Sequence, residues 1–396
     1  MNNPLFKIKD FRTLLCGQTI AVLGDWFGII AVIALAGFRW NVTPVQMSMV
    51  VFALAAPMFF AGPLGGVIAD RIDRARMMSF ICVIRTAILI AITFLTNFSY
   101  LLVLLVFLGF FDASFLTAKN AKLKEIPPAE LIDDAVIYSS FIDQGARVFG
   151  PALGGTVLAV FSIETALYIN AAAYMAASIV FLFLGRTVYV KKEEKGHSGF
   201  FAEFKDGIAV MRTIPFITYG VLIQVFVIFV LQMVDSQFVI LLRTMQGASE
   251  AWVGYCLMAS GLGTFLTTFF YLRINKSADV KKSMFNGMLI YSSSVIGISL
   301  WGMFGSSPEG FIPFFLIWGA SGALLFVKFT TYAQANMPVA YSGRVFGSIG
   351  SMLSSASMTG LFCGGILVST IGAAHAFLFS GIMLFLGGLL LRTKKH

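Results

Sequence analysis

Residues 62–76, GPLGGVIADRIDRAR, form a short charged stretch between two long apolar segments. Five charged residues fall within seven positions: Asp70, Arg71, Asp73, Arg74 and Arg76. The flanking segments, residues 47–69 and 77–96, hold a single charged side chain between them. About 20 apolar residues are enough to cross a bilayer as a helix. The pattern therefore predicts two membrane helices joined by a hairpin that lies in water.

The composition of the whole chain is typical of a membrane protein. Of the 396 residues, 58% are hydrophobic and 12% are charged, and the mean hydropathy is +0.87. An average soluble domain has about 25% charged residues. Residues 1–12 are polar and basic, and no small-residue cleavage site follows the first apolar segment. We therefore expect a retained first helix rather than a signal peptide.

Twelve apolar segments of membrane-spanning length follow one another along the chain. They are residues 14–38, 46–69, 77–96, 100–122, 134–160, 163–185, 214–242, 250–272, 284–304, 310–334, 345–370 and 374–391. GPALGG at 150–155 is echoed by LFCGG at 361–365, which indicates two related halves. We predict an all-α membrane protein of twelve transmembrane helices in two pseudo-symmetric six-helix bundles. The predicted domains are residues 1–186, a cytoplasmic linker at 187–213 with an interfacial helical pattern, and residues 214–396.

Basic residues mark the predicted cytoplasmic side. If both termini are cytoplasmic, the outside segments hold only Arg39 and Arg243, whereas Lys119 and Lys122 fall with the inside charges. This asymmetry follows the positive-inside rule and accounts for most of the net charge of +9. The basic residues therefore indicate membrane orientation and contact with lipid, and they do not indicate binding to nucleic acid.

From Gly66 the hairpin reads G-x-x-x-D-R-x-x-R-x-R. This pattern resembles the loop between the second and third helices of the major facilitator superfamily of transporters. The usual form, G-x-x-x-D-R/K-x-G-R-R/K, has glycine where this chain has Asp73 and a basic residue where it has Ala75. The resemblance implies two bundles that rock about a central cavity. It also implies a cytoplasmic gate of Gly66, Asp70, Arg71, Arg74 and Arg76; a solvated loop that only sets topology is the alternative.

The fifth segment contains GARVFGPALGG at residues 145–155. It resembles the glycine-proline motif that marks antiporters in this superfamily, which ends G-P-x-x-G-G. The matching residues are Gly145, Gly150, Pro151, Gly154 and Gly155. Small residues three and four apart let helices approach closely, and proline bends a helix. The motif favours export weakly, because a plain packing motif would have the same pattern.

Seven ionisable residues fall at predicted membrane depth: Asp25, Arg85, Asp112, Asp143, Arg147, Asp235 and Lys328. Each costs about 2.5–3.5 kcal/mol at the bilayer centre, so we expect them to face a cavity or one another. Asp143 and Arg147 are four apart on one helix and are expected to pair. Asp25 and Asp112 have no basic residue on the same helical face. We predict that Asp25, Asp112 or both are the proton-coupling residues, with Arg85 holding whichever carboxylate is ionised.

Residues 16–35, CGQTIAVLGDWFGIIAVIAL, look like the first helix of the macrolide-efflux and siderophore-exporter branch, and residues 110–140 also fit that branch. The resemblance implies a proton-coupled exporter of an amphipathic small molecule, drug-like or metallophore; a lysophospholipid transporter or flippase is the alternative. The predicted substrate cavity is lined by Gln18, Trp26, Phe111, Phe115, Asn120, Asp143, Arg147, Gln224, Asp235 and Lys328. Lys328 and Asp235 are candidates for contacts with an ionic substrate, and an anionic head group would suit Arg85 and Lys328.

Catalytic and metal-binding patterns are missing from the sequence. It contains no HExxH, no GxSxG and no glycine-rich phosphate loop, and its three histidines do not cluster. The four cysteines fall in apolar segments, which indicates buried thiols. We predict no enzyme, no metal and no cofactor, with the proton gradient as driving force. The short loops favour a monomer in a bacterial inner membrane whose partners are lipid and a small substrate.

Overall fold

The computed structural model describes residues 4–57, 72–185, 208–271, 279–336 and 339–393, and these residues form helices and turns without a β-strand. In chain order the helices are α1 (Lys9–Ala34), α2 (Pro44–Ala55), α3 (Arg74–Thr93), α4 (Phe98–Glu125), α5 (Ile132–Val160), α6 (Ile163–Leu182), α7 (Pro215–Gln232), α8 (Phe238–Leu242), α9 (Glu250–Leu266), α10 (Val280–Phe304), α11 (Phe311–Gly322), α12 (Lys328–Asn336), α13 (Val339–Ile371) and α14 (Ala373–Thr393).

The predicted fold class is confirmed by the lengths and hydropathy of these helices. Eight of the spans are long and apolar enough to cross a membrane, and four shorter apolar helices are Pro44–Ala55, Phe149–Val160, Phe216–Gln232 and Ala373–Leu389. Each of the twelve predicted segments overlaps one of these twelve stretches. The chain is an all-α membrane protein with twelve transmembrane segments.

Two predicted segments are interrupted. The seventh, residues 214–242, was expected as one helix, but α7 ends at Gln232 and the short α8 begins at Phe238. The intervening turn contains Asp235, Ser236 and Gln237, polar residues whose side chains compete with the helix for backbone hydrogen bonds. In the tenth segment, a π-helical turn at Ala323–Val327 separates α11 from α12.

Side-chain caps explain where several helices begin. Asp73 accepts a hydrogen bond from the backbone N–H of Arg76 at the start of α3 (3.0 Å). Asn97 caps α4 and Ser162 caps α6 in the same way. Such caps contribute about 1 kcal/mol each. Asp73 therefore has a local structural role at the position where the superfamily loop usually has glycine.

The chain forms two compact units. The first comprises Met1–Val42, Met49–Val190 and Ser249–Met258, and the second comprises Thr43–Ser48, Lys191–Ala248 and Ala259–His396. In the first unit α1 packs against α5 and α6, and α3 against α4 and α6. In the second, α10 packs against α11 and α14, and α7 against α13. Residues 187–207 of the predicted linker at 187–213 lie outside the described residues.

The cysteines differ from the expectation. Cys82 and Cys256 are buried, but Cys16 and Cys363 are exposed on the surface of their helices. The prediction of four buried thiols is wrong for these two, because an apolar segment of a membrane protein also has a face that points away from the protein interior.

Candidate functional site

Three polar side chains from three helices of the first unit meet around the guanidinium of Arg85, which lies on a fourth helix. Arg85 of α3 contacts the carboxylate of Asp25 on α1 at 2.5 Å, and it also contacts Asp112 of α4 and the hydroxyl of Tyr174 on α6. The Tyr174 hydroxyl donates a hydrogen bond to Asp25. We call Asp25, Arg85, Asp112 and Tyr174 the Arg85 cluster.

The guanidinium of the Arg85 cluster is buried among aromatic rings. The side chain of Arg85 is 1% exposed, and its guanidinium carbon lies 3.8 Å from the centroid of the Tyr174 ring and 5.9 Å from that of Phe115. Cation–π contacts of this kind are stronger when they are desolvated. Two carboxylates share this single guanidinium, so the cluster carries one surplus negative charge when both carboxylates are ionised.

A cavity of about 100 Å³ adjoins the carboxylates of the cluster. Asp25, Asp112, Asn170 and Tyr174 form its polar wall, and its apolar wall includes Ile29 and Leu108. The side chains of Asp25 and Asp112 are 30% and 37% exposed. The carboxylates therefore reach the cavity, whereas the guanidinium is enclosed. This burial also removes Arg85 as a contact for an anionic head group, in contrast to the expectation from the sequence.

Glycines next to Asp25 bring α6 close to α1. A Cβ atom at Gly24 would lie 2.8 Å from Oδ1 of Asn170 and 3.0 Å from Cβ of Ala173. Gly28, one turn later, faces the amide of Asn170. Small residues four apart allow such close helix packing. This approach positions Tyr174, one turn after Asn170, against Asp25.

The structure thus brings Asp25, Arg85 and Asp112 together. Neither aspartate has a basic residue on its own helical face; Arg85 reaches both of them from a third helix, and it contacts the two carboxylates at once rather than only one of them. Spacing along a single helix cannot reveal such a partner. Tyr174 was missed by sequence reasoning; the only signal was its position four residues after Asn170 within an apolar segment.

A second polar network joins α1, α4 and α5. Nζ of Lys119 lies 2.9 Å from Oδ2 of Asp143, and Nε2 of Gln18 donates to Oδ1 of Asp143 (2.8 Å) and to the backbone oxygen of Ser139 (3.0 Å). Ser139 donates to Oε1 of Gln18 in return (2.9 Å). Lys119, which the sequence analysis counted with the inside charges, is only 2% exposed and is paired in this network. The expected partner of Asp143, Arg147, has a side chain outside the described part.

We expect Lys119 and Asp143 to depend on each other for stability. Lys119→Met and Asp143→Asn should each destabilise the protein, because each leaves a buried or half-buried charge without its partner. The double variant should lose less than the sum, with a coupling free energy of about 1–3 kcal/mol. Thermal unfolding of the four proteins in one detergent measures this coupling. If the losses of the two single variants add up to the loss of the double variant, Lys119 and Asp143 do not stabilise each other.

The charged hairpin is described only in part. Gly66, Asp70 and Arg71 lie outside the described residues. Arg74 forms an ion pair with Glu125 at the end of α4, and Lys122 is 3.7 Å from the same carboxylate. Arg76 provides the backbone N–H that Asp73 caps. The gating role of the hairpin stays a prediction.

The glycine-proline motif lies on α5, which continues through Pro151. Gly150 packs against the ring of Trp26 on α1, and a Cβ at Gly154 would lie 2.9 Å from the backbone oxygen of Trp26. A Cβ at Gly155 would lie 2.5 Å from the backbone oxygen of Gly254 on α9. A Cβ at Gly145 would have no neighbouring atom within 4 Å. These contacts support the packing interpretation of the last three glycines.

Comparison with known proteins identifies the family. Residues 14–361 match the family model described as Major Facilitator Superfamily. The chain belongs to this superfamily. It is 37% identical to the uncharacterized MFS-type transporter YfiS of Bacillus subtilis strain 168, with 100% of this chain and 95% of that protein covered. It is 23% identical to macrolide efflux protein A of Streptococcus pyogenes, over 96% and 94% of the two chains.

Solved structures support the same fold for this major facilitator protein. A bacterial homologue of the human lysosomal transporter Spinster, in an inward-facing and unoccupied conformation, superposes with a TM-score of 0.71 at 14% identity. The match covers 97% of this chain and 96% of that one. The chain is therefore a multi-pass membrane transporter of the major facilitator type, as the hairpin resemblance predicted.

The other predicted cavity residues of this major facilitator protein are divided between the two units. In the first, Phe115 packs against Phe181 with ring centroids 5.6 Å apart, Phe111 contacts Phe110, and Asn120 is exposed. The second unit contains three of them: Gln224, which is buried, Asp235, which is exposed in the turn after α7, and Lys328, which is half-buried at the start of α12. A single cavity formed by all ten residues stays a prediction.

Proposed function

We propose that this major facilitator protein is a proton-coupled exporter of an amphipathic small molecule, and that the Arg85 cluster binds the coupling proton. The observation that carries the proposal is the sharing of one buried guanidinium by two carboxylates. A surplus negative charge among membrane-spanning helices is costly. A single proton on Asp25 or Asp112 removes that charge, and the adjoining cavity provides access for it.

Protonation changes how four helices are held together. With both carboxylates ionised, Arg85 joins α1, α3 and α4, and Tyr174 adds α6. When one aspartate takes up a proton, its charge-assisted bond to Arg85 becomes an ordinary and weaker hydrogen bond. The helix that carries the protonated residue is then less strongly held. Uptake of a proton on one side and release on the other would in this way be tied to the movement of the bundle.

Export and the class of substrate rest on the relatives. Macrolide efflux protein A matches 96% of this chain over 94% of its own length, so a macrolide is the first substrate to test. The carboxylates beside the cavity and the buried guanidinium together favour a neutral or cationic amphipathic molecule over an anionic one. We further propose that both termini face the cytoplasm of a bacterial cell, in accordance with the distribution of basic residues.

Single neutral variants test the proton site. Asp25→Asn and Asp112→Asn each remove the surplus charge but leave Arg85 paired with the other carboxylate. In proteoliposomes, we expect each variant to exchange substrate across the membrane but to lose at least about tenfold in accumulation driven by a pH gradient. Glu164→Gln, at an exposed carboxylate paired with Arg39, is the matched control and should behave as wild type.

Two results would overturn parts of the proposal. Unchanged pH-driven accumulation in both aspartate variants would exclude the Arg85 cluster as the proton site. Flux of a lysophospholipid, with no flux of macrolides or other drug-like molecules, would favour the alternative of a lysophospholipid transporter. An internal pH indicator and radiolabelled substrate, measured on the same vesicles, distinguish these outcomes.

A further inference from the structure

The second unit contains a cavity of about 190 Å³ between the first turns of α7 and α10. Phe216, Tyr219 and Ile223 form one wall; their spacing of three and four residues places them on one face of α7. Met284 and Phe285 of α10 form the opposite wall. The inner part of this cavity is therefore apolar and partly aromatic. Neither the charged hairpin nor the Arg85 cluster involves these residues.

The edge of the same cavity is charged. Lys281 and Lys282 line it at the start of α10, together with Asp279. Asp279 accepts a hydrogen bond from the backbone N–H of Lys281 (2.9 Å) and so serves as the N-cap of the helix. Of the described residues at this edge, two carry ammonium groups and one carries a carboxylate. A ligand with a negatively charged part and an apolar part would match both regions of the cavity.

The size of the cavity limits what can occupy it. Sites for drug-sized ligands are typically about 300–1,000 Å³, so a cavity of about 190 Å³ is too small for the amphipathic substrate proposed above. It is large enough for a phosphodiester head group. Tyrosine and lysine near a helix end are typical of the membrane–water interface, and basic pockets between transmembrane helices bind anionic head groups.

We propose that this cavity is a binding site for an anionic phospholipid of the surrounding membrane. Lys281 and Lys282 bind the phosphodiester, and the first carbons of the acyl chains lie along Phe216 and Phe285. The two lysines at the edge and the aromatic inner wall suit a phosphodiester that carries acyl chains, as in phosphatidylglycerol. The inference is independent of the proposed transport function, because it uses other residues in the other unit and requires no proton coupling.

Lipid titration of the purified full-length protein tests the site. Native mass spectrometry measures binding of phosphatidylglycerol and of phosphatidylcholine to wild type, to Lys281→Gln/Lys282→Gln and to Lys281→Arg/Lys282→Arg. We expect wild type to prefer phosphatidylglycerol, the Gln variant to bind it about 30-fold more weakly, and the Arg variant to retain binding. The matched control is Lys7→Gln/Lys9→Gln, which removes two lysines at the start of α1 and should bind as wild type.

A further variant distinguishes the lipid from a free anion. Phe216→Ala/Phe285→Ala should weaken phosphatidylglycerol binding, because the acyl contacts are lost, and inorganic phosphate should not compete with the lipid in wild type. Equal binding of both lipids by wild type, equal affinity of the Gln variant and the Lys7/Lys9 control, or competition by inorganic phosphate would each overturn the proposal.

Discussion

Replacing Arg85 by leucine is expected to destabilise the protein by about 3–5 kcal/mol, because two carboxylates are left without the only guanidinium that contacts them in the described part of the first unit. The arginine is 1% exposed, so its contacts with the carboxylates lie in surroundings of low dielectric, where ion pairs are stronger. Tyr174 would also lose the cation that lies over its ring. This is the largest effect that we expect from a single substitution in the Arg85 cluster.

Thermal unfolding in detergent, followed by size-exclusion chromatography, measures this loss. Arg39→Leu is the matched control: Arg39 pairs with Glu164, but the two side chains are 44% and 40% exposed, so we expect a change of about 0–1 kcal/mol. The triple variant Arg85→Leu/Asp25→Asn/Asp112→Asn should recover most of the lost stability, since no charge then remains unpaired. An Arg85→Leu protein as stable as the Arg39→Leu protein would show that the contacts of Arg85 in the cluster do not stabilise the protein.

Gly155→Leu is expected to prevent α5 from packing against α9, with a loss of at least about 3 kcal/mol. The obstacle is backbone rather than a flexible side chain: a Cβ at Gly155 would lie 2.5 Å from the oxygen of Gly254 and 2.8 Å from the nitrogen of Met258. Overpacking against side chains usually costs about 1–3 kcal/mol. Here neither helix can yield by a rotamer change, so the two helices have to separate.

Gly145→Leu, ten residues earlier on the same helix, provides the control. A Cβ at Gly145 meets nothing within 4 Å, and leucine favours a helix over glycine by up to about 1 kcal/mol. We therefore expect this variant to be as stable as wild type or slightly more stable. Comparison of the two melting temperatures, together with the yield of monodisperse protein, gives the result. Equal losses for both variants would show that the motif does not act through the contact with α9.

The two charged networks show which site features could be predicted from sequence. Asp25, Arg85 and Asp112 are recognisable because charged residues in apolar segments are costly. The sequence also suggested that Arg85 holds whichever aspartate is ionised. Its simultaneous contact with both aspartates is not recognisable, since it depends on how α1, α3 and α4 are rotated against one another. Lys119 lies near the polar end of its segment and was counted only with the charges that set orientation; its burial and its contact with Asp143 of α5 could not be predicted from that position.

The hairpin and the glycine-proline motif also differ in how much their sequence alone could predict. The charged hairpin predicted the superfamily, because its spacing of charges is independent of tertiary contacts. The glycines predicted close packing but not the partner helices: Gly150 and Gly154 face α1, Gly155 faces α9, and Gly145 faces neither. Only the three-dimensional arrangement distinguishes a glycine that is required from one that is replaceable.

The sequence by itself determined that this protein has twelve membrane-spanning segments and belongs to a transporter fold, because segment length and hydropathy follow directly from the thickness and polarity of a bilayer. The tertiary structure alone decided that two carboxylates share one arginine, that Tyr174 completes their network, and that Lys119 is buried. The residues that these contacts join are separated by between 24 and 149 positions in the chain. Such pairing is set by helix rotation and packing, which leave no local pattern in a uniformly apolar segment.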